Sequence, residues 1–106
     1  MTTPSFESYA KFFKTLSNET RFQIIKLLMK GPKSVMEISH SLNFEQSRVS
    51  HNLRRLECCG FINLKSKGKQ RIYSIDQTHM KPIMLKIDKY MNKYSKRLKE
   101  CHDMKK

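Results

Sequence analysis

Between the helix stop at Gly31-Pro32 and the one at Gly60, the chain holds only two short amphipathic segments, and that bracketing limits the fold more than any other feature. A glycine just past the last apolar position takes the turn that ends a helix, and a following proline cannot continue it. Inside the bracket, Ser34 is placed to cap a helix whose one face carries Val35, Ile38 and Leu42. Asn43 permits a tight turn, and Phe44 to Cys58 then repeats Val49, Leu53 and Leu56 at helical spacing. Residues 34–58 therefore read as helix, short turn, helix.

The flanks are organised as simply. Phe6, Tyr9, Ala10, Phe13 and Leu16 recur as on one side of a first helix. Asn18 is a candidate N-cap for a second, whose buried face is expected at Phe22, Ile25, Leu28 and Met29. After Gly60 the period changes to two. Phe61–Leu64 and Arg71–Ile75 alternate as strands do around a loop from Lys65 to Gln70, in which Gly68 supplies a positive φ. A last helix is expected over 79–100, with Met80, Met84, Ile87, Met91, Tyr94 and Leu98 alternating four and three residues apart. Such a narrow seam suits pairing with a second helix better than covering a broad core. The expected architecture is mainly α with a small β-hairpin, in the order ααααββα, forming one domain over 1–106 that dimerises through its terminal helices.

Charge points to the partner. The 106 residues carry 22 Lys and Arg against 9 Asp and Glu, a formal net charge of +13. Such an excess fits a polyanion, and the absence of Trp together with Phe lying outside the basic C-terminal region disfavours a membrane surface. A helix-turn-helix followed by a basic hairpin has a direct physical use. The second helix fits the major groove of duplex DNA, the hairpin reaches phosphates or the minor groove, and a homodimer repeats both contacts. The candidate base-reading side chains are Gln46, Ser47, Arg48, Ser50 and His51, with Arg54, Arg55, Lys67, Lys69 and Arg71 as candidate phosphate contacts. No run is long enough to span a membrane, and Met1-Thr2-Thr3-Pro4 lacks the basic and apolar segments of a signal peptide, so a cytoplasmic location is expected. Three cysteines, Cys58, Cys59 and Cys101, make an odd count that argues against a disulfide framework.

These blocks resemble the ArsR/SmtB family of winged-helix repressors. The resemblance rests on Leu16-Ser17-Asn18-Glu19-Thr20-Arg21, on Gln46 to Leu53, on Leu56 to Ile62 and on the hairpin Gly68 to Ile75. It implies a DNA-binding repressor dimer released by a metal, metalloid or redox signal. The family's sensor sites differ between branches. A thiol pair on the third helix has no counterpart in Ser34-Val35-Met36-Glu37. A zinc site on the last helix would fall on Gln77, His79, Tyr90 and Lys93, of which only His79 is a suitable ligand. A thiolate site shared between the end of the recognition helix and the C-terminal tail maps to Arg55, Cys59 and Cys101, with Cys58 added and His102 following. Cys58, Cys59 and Cys101 are thus the candidate metal or redox residues, and a soft metal or metalloid ion is the implied ligand. Two adjacent residues sit ~100° apart on a helix, so both thiols reach one ion only if the helix end frays.

No catalytic arrangement is present: there is no phosphate-binding glycine loop, no His-Glu-x-x-His, and no nucleophile with a base and an orienting group. The rivals to a regulated repressor are a constitutive repressor, a winged-helix scaffold that meets only protein, and a sequence-indifferent architectural protein of the nucleoid, which would bind promoter and random DNA alike.

Overall fold

Asn18 and Ser34 do what their positions suggest, and the helices they start set the frame of the fold. The computed structural model describes residues 3–101, so His102 lies outside the described residues. In chain order the elements are α1 (Phe6–Ser17), α2 (Glu19–Leu28), β1 (Lys33–Ser34), α3 (Val35–Leu42), α4 (Gln46–Cys58), β2 (Ile62–Lys67), β3 (Gln70–Ile75) and α5 (Met80–Glu100). They fall into two units, Met1–Asp76 and Gln77–Lys106.

In the first unit, α2 packs against α1, α3, α4 and β3. Asn18 caps it, its side-chain oxygen accepting from the Arg21 amide at 3.0 Å. The buried face of α2 is Thr20, Ile24, Ile25 and Leu28. It is rotated from the expected one: Phe22 is exposed and Met29 only half-buried. The shift arises because α2 is enclosed by neighbours on several sides, so the burial arc is set by them and not by the apolar stripe alone. Leu16, Ile38, Val49, Leu53, Leu56, Phe61, Ile62, Tyr73 and Ile75 complete the core of this unit.

The helix-turn-helix forms where expected, with Asn43 left-handed (φ 58°, ψ 44°) between α3 and α4. Phe44 lies outside α4: Glu45 is its extended N-cap residue, and the helix runs from Gln46. Ser34 has two tasks. Its hydroxyl accepts from the Glu37 amide at 3.2 Å while the Glu37 carboxylate accepts from the Ser34 amide at 2.8 Å, a complete capping box. It also pairs with Ile72, as Lys33 does with Tyr73, making the short strand β1 that periodicity could not reveal in two residues. The sheet is antiparallel throughout, in the order β1-β3-β2.

The hairpin is longer and tighter than the sequence suggests. Lys67 pairs directly with Gln70, so the expected six-residue loop becomes strand apart from Gly68-Lys69. Only Gly68 has positive φ in this turn (63°), the arrangement of a II′ hairpin turn.

In the second unit, α5 spans Met80–Glu100, one residue short of the expected start. Its seam is used unevenly: Met80 and Met84 are buried, whereas Met91 and Leu98 are 41% and 47% exposed. Exposed Ile83 and Tyr90 widen the apolar arc beyond a narrow seam.

Leu53 is fully buried, so Leu53→Ala is expected to lower stability by about 2–5 kcal/mol. Urea unfolding followed by circular dichroism would measure this.

Candidate nucleic-acid interface

The outward face of α4 follows from its inward one. Val49, Asn52, Leu53 and Leu56 are buried. With ~100° between successive residues, the row directly opposite is Ser47, His51, Arg54 and Cys58. All four are exposed. Gln46 is exposed and Ser50 half-buried on one flank of that row, and exposed Arg55 and Arg48 lie on the other. The helix therefore offers a polar and basic surface about three turns long, held at its back by apolar packing.

Arg48 is engaged within the protein. Its Nε and Nη2 donate to the Thr20 hydroxyl at 3.2 and 2.6 Å. The guanidinium also lies 3.8 Å from the centroid of the Phe44 ring, a cation–π contact. Among the candidate base readers, Arg48 thus fastens α4 to α2, while Ser47 and His51 occupy the centre of the outward face.

A second fastening lies beyond what the sequence reading picked out. Asn52 is only 8% exposed. Its amide donates to the Arg48 carbonyl at 2.9 Å, and its Oδ1 accepts from Arg21 Nη1 at 3.2 Å. Arg21 Nε in turn donates to the Thr15 carbonyl at 2.9 Å. One guanidinium thereby ties α1, α2 and α4 together. The signal was present in the sequence as a polar residue, Asn52, lying in phase with Val49, Leu53 and Leu56.

On the hairpin, Lys65, Lys67, Lys69 and Arg71 are all exposed. Their directions differ. Ile62, Leu64, Tyr73 and Ile75 define the inner face of the sheet, and Arg71, paired with Ser66, continues that row past the core. Lys65 and Lys67 project from the opposite face, and Lys69 stands in the turn. The basic side chains surround the hairpin tip instead of lining one side.

The adjacent thiols Cys58 and Cys59 diverge. Cys58 closes the outward row of α4, one turn beyond Arg54. Cys59 is the C-cap, with helical torsions (φ −87°, ψ −1°), and its Sγ is 4.0 Å from the Thr15 hydroxyl. It borders a shallow hollow with Lys11, Phe12 and Phe61. The helix end is not frayed, so the two neighbours point apart as regular geometry requires. Cys101 belongs to the second unit and is exposed, like the other two. Among the described residues, no three His, Cys, Asp or Glu side chains cluster closely enough to hold a metal ion.

Comparisons with known proteins agree with this geometry. Residues 18–63 match the family described as bacterial regulatory protein, arsR family. The chain is 33% identical over 78 residues to a homologue of the cadmium resistance transcriptional regulatory protein CadC from Staphylococcus aureus, covering 73% of this chain and 64% of that protein. It therefore spans less than two thirds of that relative's length. It is 31% identical over 84 residues to an HTH-type transcriptional regulator of Methanocaldococcus jannaschii, covering 78% of this chain and 94% of the other. Its fold is that of the homodimeric winged helix-turn-helix DNA-binding domain Mb0332 of Mycobacterium bovis, with a TM-score of 0.79 at 21% identity over 96% of this chain and 100% of that one.

Asn52→Ala removes the acceptor for Arg21 and the donor to Arg48. It is expected to cost about 1–3 kcal/mol in urea unfolding, because Arg21 loses a bond that water only partly replaces.

Proposed function

Because the chain belongs to the arsR family of bacterial regulatory proteins, we propose that it is a sequence-specific DNA-binding transcriptional regulator, a repressor that acts as a homodimer in the cytoplasm and leaves its operator on a thiol-directed signal. The observation that carries this reading is the outward row Ser47–His51–Arg54 on a helix buttressed by Asn52 and Arg21. A helix of this width enters the major groove, and its rigid attachment sets the register of its side chains against base edges.

In this reading Gln46, Ser47, Ser50 and His51 meet base edges, and Arg54 and Arg55 meet phosphates. Lys67, Lys69 and Arg71, spread around the hairpin tip, hold the backbone on both sides of the wing. Arg48 reaches a base by exchanging the Thr20 hydroxyl for a guanine edge, a trade of one acceptor for another. Two copies place two such helices on half-sites about 34 Å apart. The surfaces available for pairing are the exposed Tyr90, Met91 and Leu98 of α5 and, on α1, the uncovered aromatics Phe6 and Phe13 (83% and 62% exposed). Both units of the chain serve one functional domain. The described helices include none long and apolar enough to cross a membrane. The matched family is one of regulatory proteins, which supports a binding role for the chain.

The signal acts at Cys58. This thiol is in line with Ser47, His51 and Arg54, so a bond formed at its Sγ intrudes on the face that meets DNA. Cys59, turned toward Thr15, and Cys101 are secondary thiols. The Staphylococcus relative's link to cadmium resistance supports a thiol-directed inducer of soft character. In this reading the event that matters is the single bond made at Cys58, whose thiol is exposed on the outward row of α4.

Two measurements test the proposal. Arg48→Ala is expected to cost about 1–3 kcal/mol on promoter DNA and to relax specificity, while Thr20→Val, which removes the competing acceptor, leaves promoter binding undiminished. Equal losses from both variants on promoter and random duplex would make Arg48 a brace only. For the signal, Cys58→Ser is expected to abolish release from promoter DNA by Cd(II), As(III) or an oxidant while leaving reduced-state affinity within about twofold. Normal release of the Cys58→Ser, Cys59→Ser double variant would overturn the thiol mechanism.

A further inference from the structure

The charge of the chain is not concentrated where the helix-turn-helix needs it. Residues 77–106 hold nine of the 22 basic side chains and three of the nine acidic ones, so nearly half of the net +13 belongs to the second unit. On α5 this charge is arranged. Lys86, Lys89, Lys93 and Lys96 follow one another at three, four and three residues, and all are exposed. At ~100° per residue they form a continuous stripe on the side of the helix away from Met84, Ile87, Met91 and Leu98. Arg97 widens the stripe at its C-terminal end, where exposed Glu100, one turn beyond Lys96, closes it with an opposite charge. Tyr94 lies beside it, with the Lys93 ammonium 5.5 Å and the Arg97 guanidinium 6.0 Å from the ring centroid.

An ordinary solvated helix face does not look like this. Solvated faces intersperse acids and bases, whereas like charges three and four residues apart oppose the helix they stand on. Pairing α5 with its own copy doubles the burden, because two equally basic helices repel. A stripe that disfavours both helix and dimer is accounted for by a partner of opposite charge. From Lys86 to Lys96 the helix rises ~15 Å. One strand of duplex DNA presents a phosphate about every 3.4 Å along the axis, so the stripe covers the axial length of about five phosphates, enough for one to each lysine. An anionic membrane is the other extended polyanion. It would require large apolar side chains free to enter lipid, and the arc of α5 opposite the stripe holds no Trp or Phe and has Met80 and Met84 buried.

We propose that the α5 stripe Lys86–Lys89–Lys93–Lys96 is a second DNA surface, which grips the phosphate backbone outside the segment read by α4 and the hairpin. The inference rests on the reading of the chain as a DNA-binding protein. It adds a sequence-independent contact that relieves the repulsion within the paired helices, so DNA and the dimer support one another.

The test uses the full chain and the variant Lys86→Gln, Lys89→Gln, Lys93→Gln, Lys96→Gln, since Gln keeps nearly the helix propensity of Lys. Binding to a random-sequence duplex is measured across a salt series, with circular dichroism and sedimentation to show that both proteins are folded and equally associated on DNA. Each lost phosphate contact lowers the slope of log K against log salt by about 0.9. The variant's slope is therefore expected to be shallower by about 3–4 for each subunit. Arg54→Ala with Lys67→Ala, made separately, is expected to keep the slope contributed by the stripe.

An unchanged slope for the Gln variant, with wild type binding DNA normally, would overturn the second surface and leave the repressor reading intact. Failure of wild type to bind promoter or random duplex at low salt would overturn the DNA reading itself. A vesicle arm with phosphatidylserine-containing bilayers completes the test. Wild-type binding there, lost in the Gln variant while the DNA slope stays fixed, would assign the stripe to a membrane and overturn the proposal.

Discussion

The fold depends most on the bridge made by the Arg21 guanidinium. It donates to the Thr15 carbonyl at the end of α1 and to the nearly buried Asn52 of α4. Asn52 passes the connection to the Arg48 carbonyl, and the Arg48 side chain returns to Thr20 on α2. The loop closes on itself: α2 supplies both Thr20 and Arg21, and α4 supplies both Arg48 and Asn52. Apolar packing alone would leave α4 free to slide or roll along α2 at little cost, because hydrophobic contact is not directional. Hydrogen bonds with fixed geometry remove that freedom. A helix that must present chosen side chains to a rigid groove benefits from such fixing.

The same bridge separates two roles on α4 that the sequence blends. Residues facing the bridge hold the helix, and residues on the opposite side are free to meet a partner. Arg48 stands at the boundary and is part of both systems. Its position on the Phe44 ring, with two bonds to one hydroxyl, keeps the charge at the edge of the outward row without solvating it fully. Cys58 lies on the free side and Cys59 on the held side, so two adjacent thiols of identical chemistry have different access to any event on the outward face of α4.

The electrostatics extend this division over the whole chain. Both units are strongly basic. In the first, the charge surrounds the hairpin tip and the outward face of α4. In the second, it runs as a stripe on α5. Such a distribution opposes compaction and self-association in the free protein, and a polyanion neutralises both. In the proposed complex this links binding and assembly through charge, the apolar residues of α1 and α5 supplying the contact and the counter-charge making it favourable.

Much of this was legible in the sequence, for identifiable reasons. Helix starts at Asn18 and Ser34, the turn at Asn43, and the stops at Gly31 and Gly60 are local events, decided by a few neighbouring residues and their torsions. The basic hairpin and the apolar rows of α4 and α5 follow from periodicity, which is also local. The tertiary structure decided what depends on residues distant in sequence. It turned the buried face of α2 away from Phe22, because four neighbours enclose that helix. It made a strand of Lys33–Ser34 only by pairing it with β3, and drew six hairpin residues into a two-residue turn by extending the ladder. It bound Arg48 to Thr20 and Asn52 to Arg21, contacts spanning 28 and 31 positions that no local pattern contains. Sequence alone determined which segments are helices and which surface is basic. Three-dimensional packing determined which of the basic and polar side chains are free to act, since that depends on the partner each one finds across the fold.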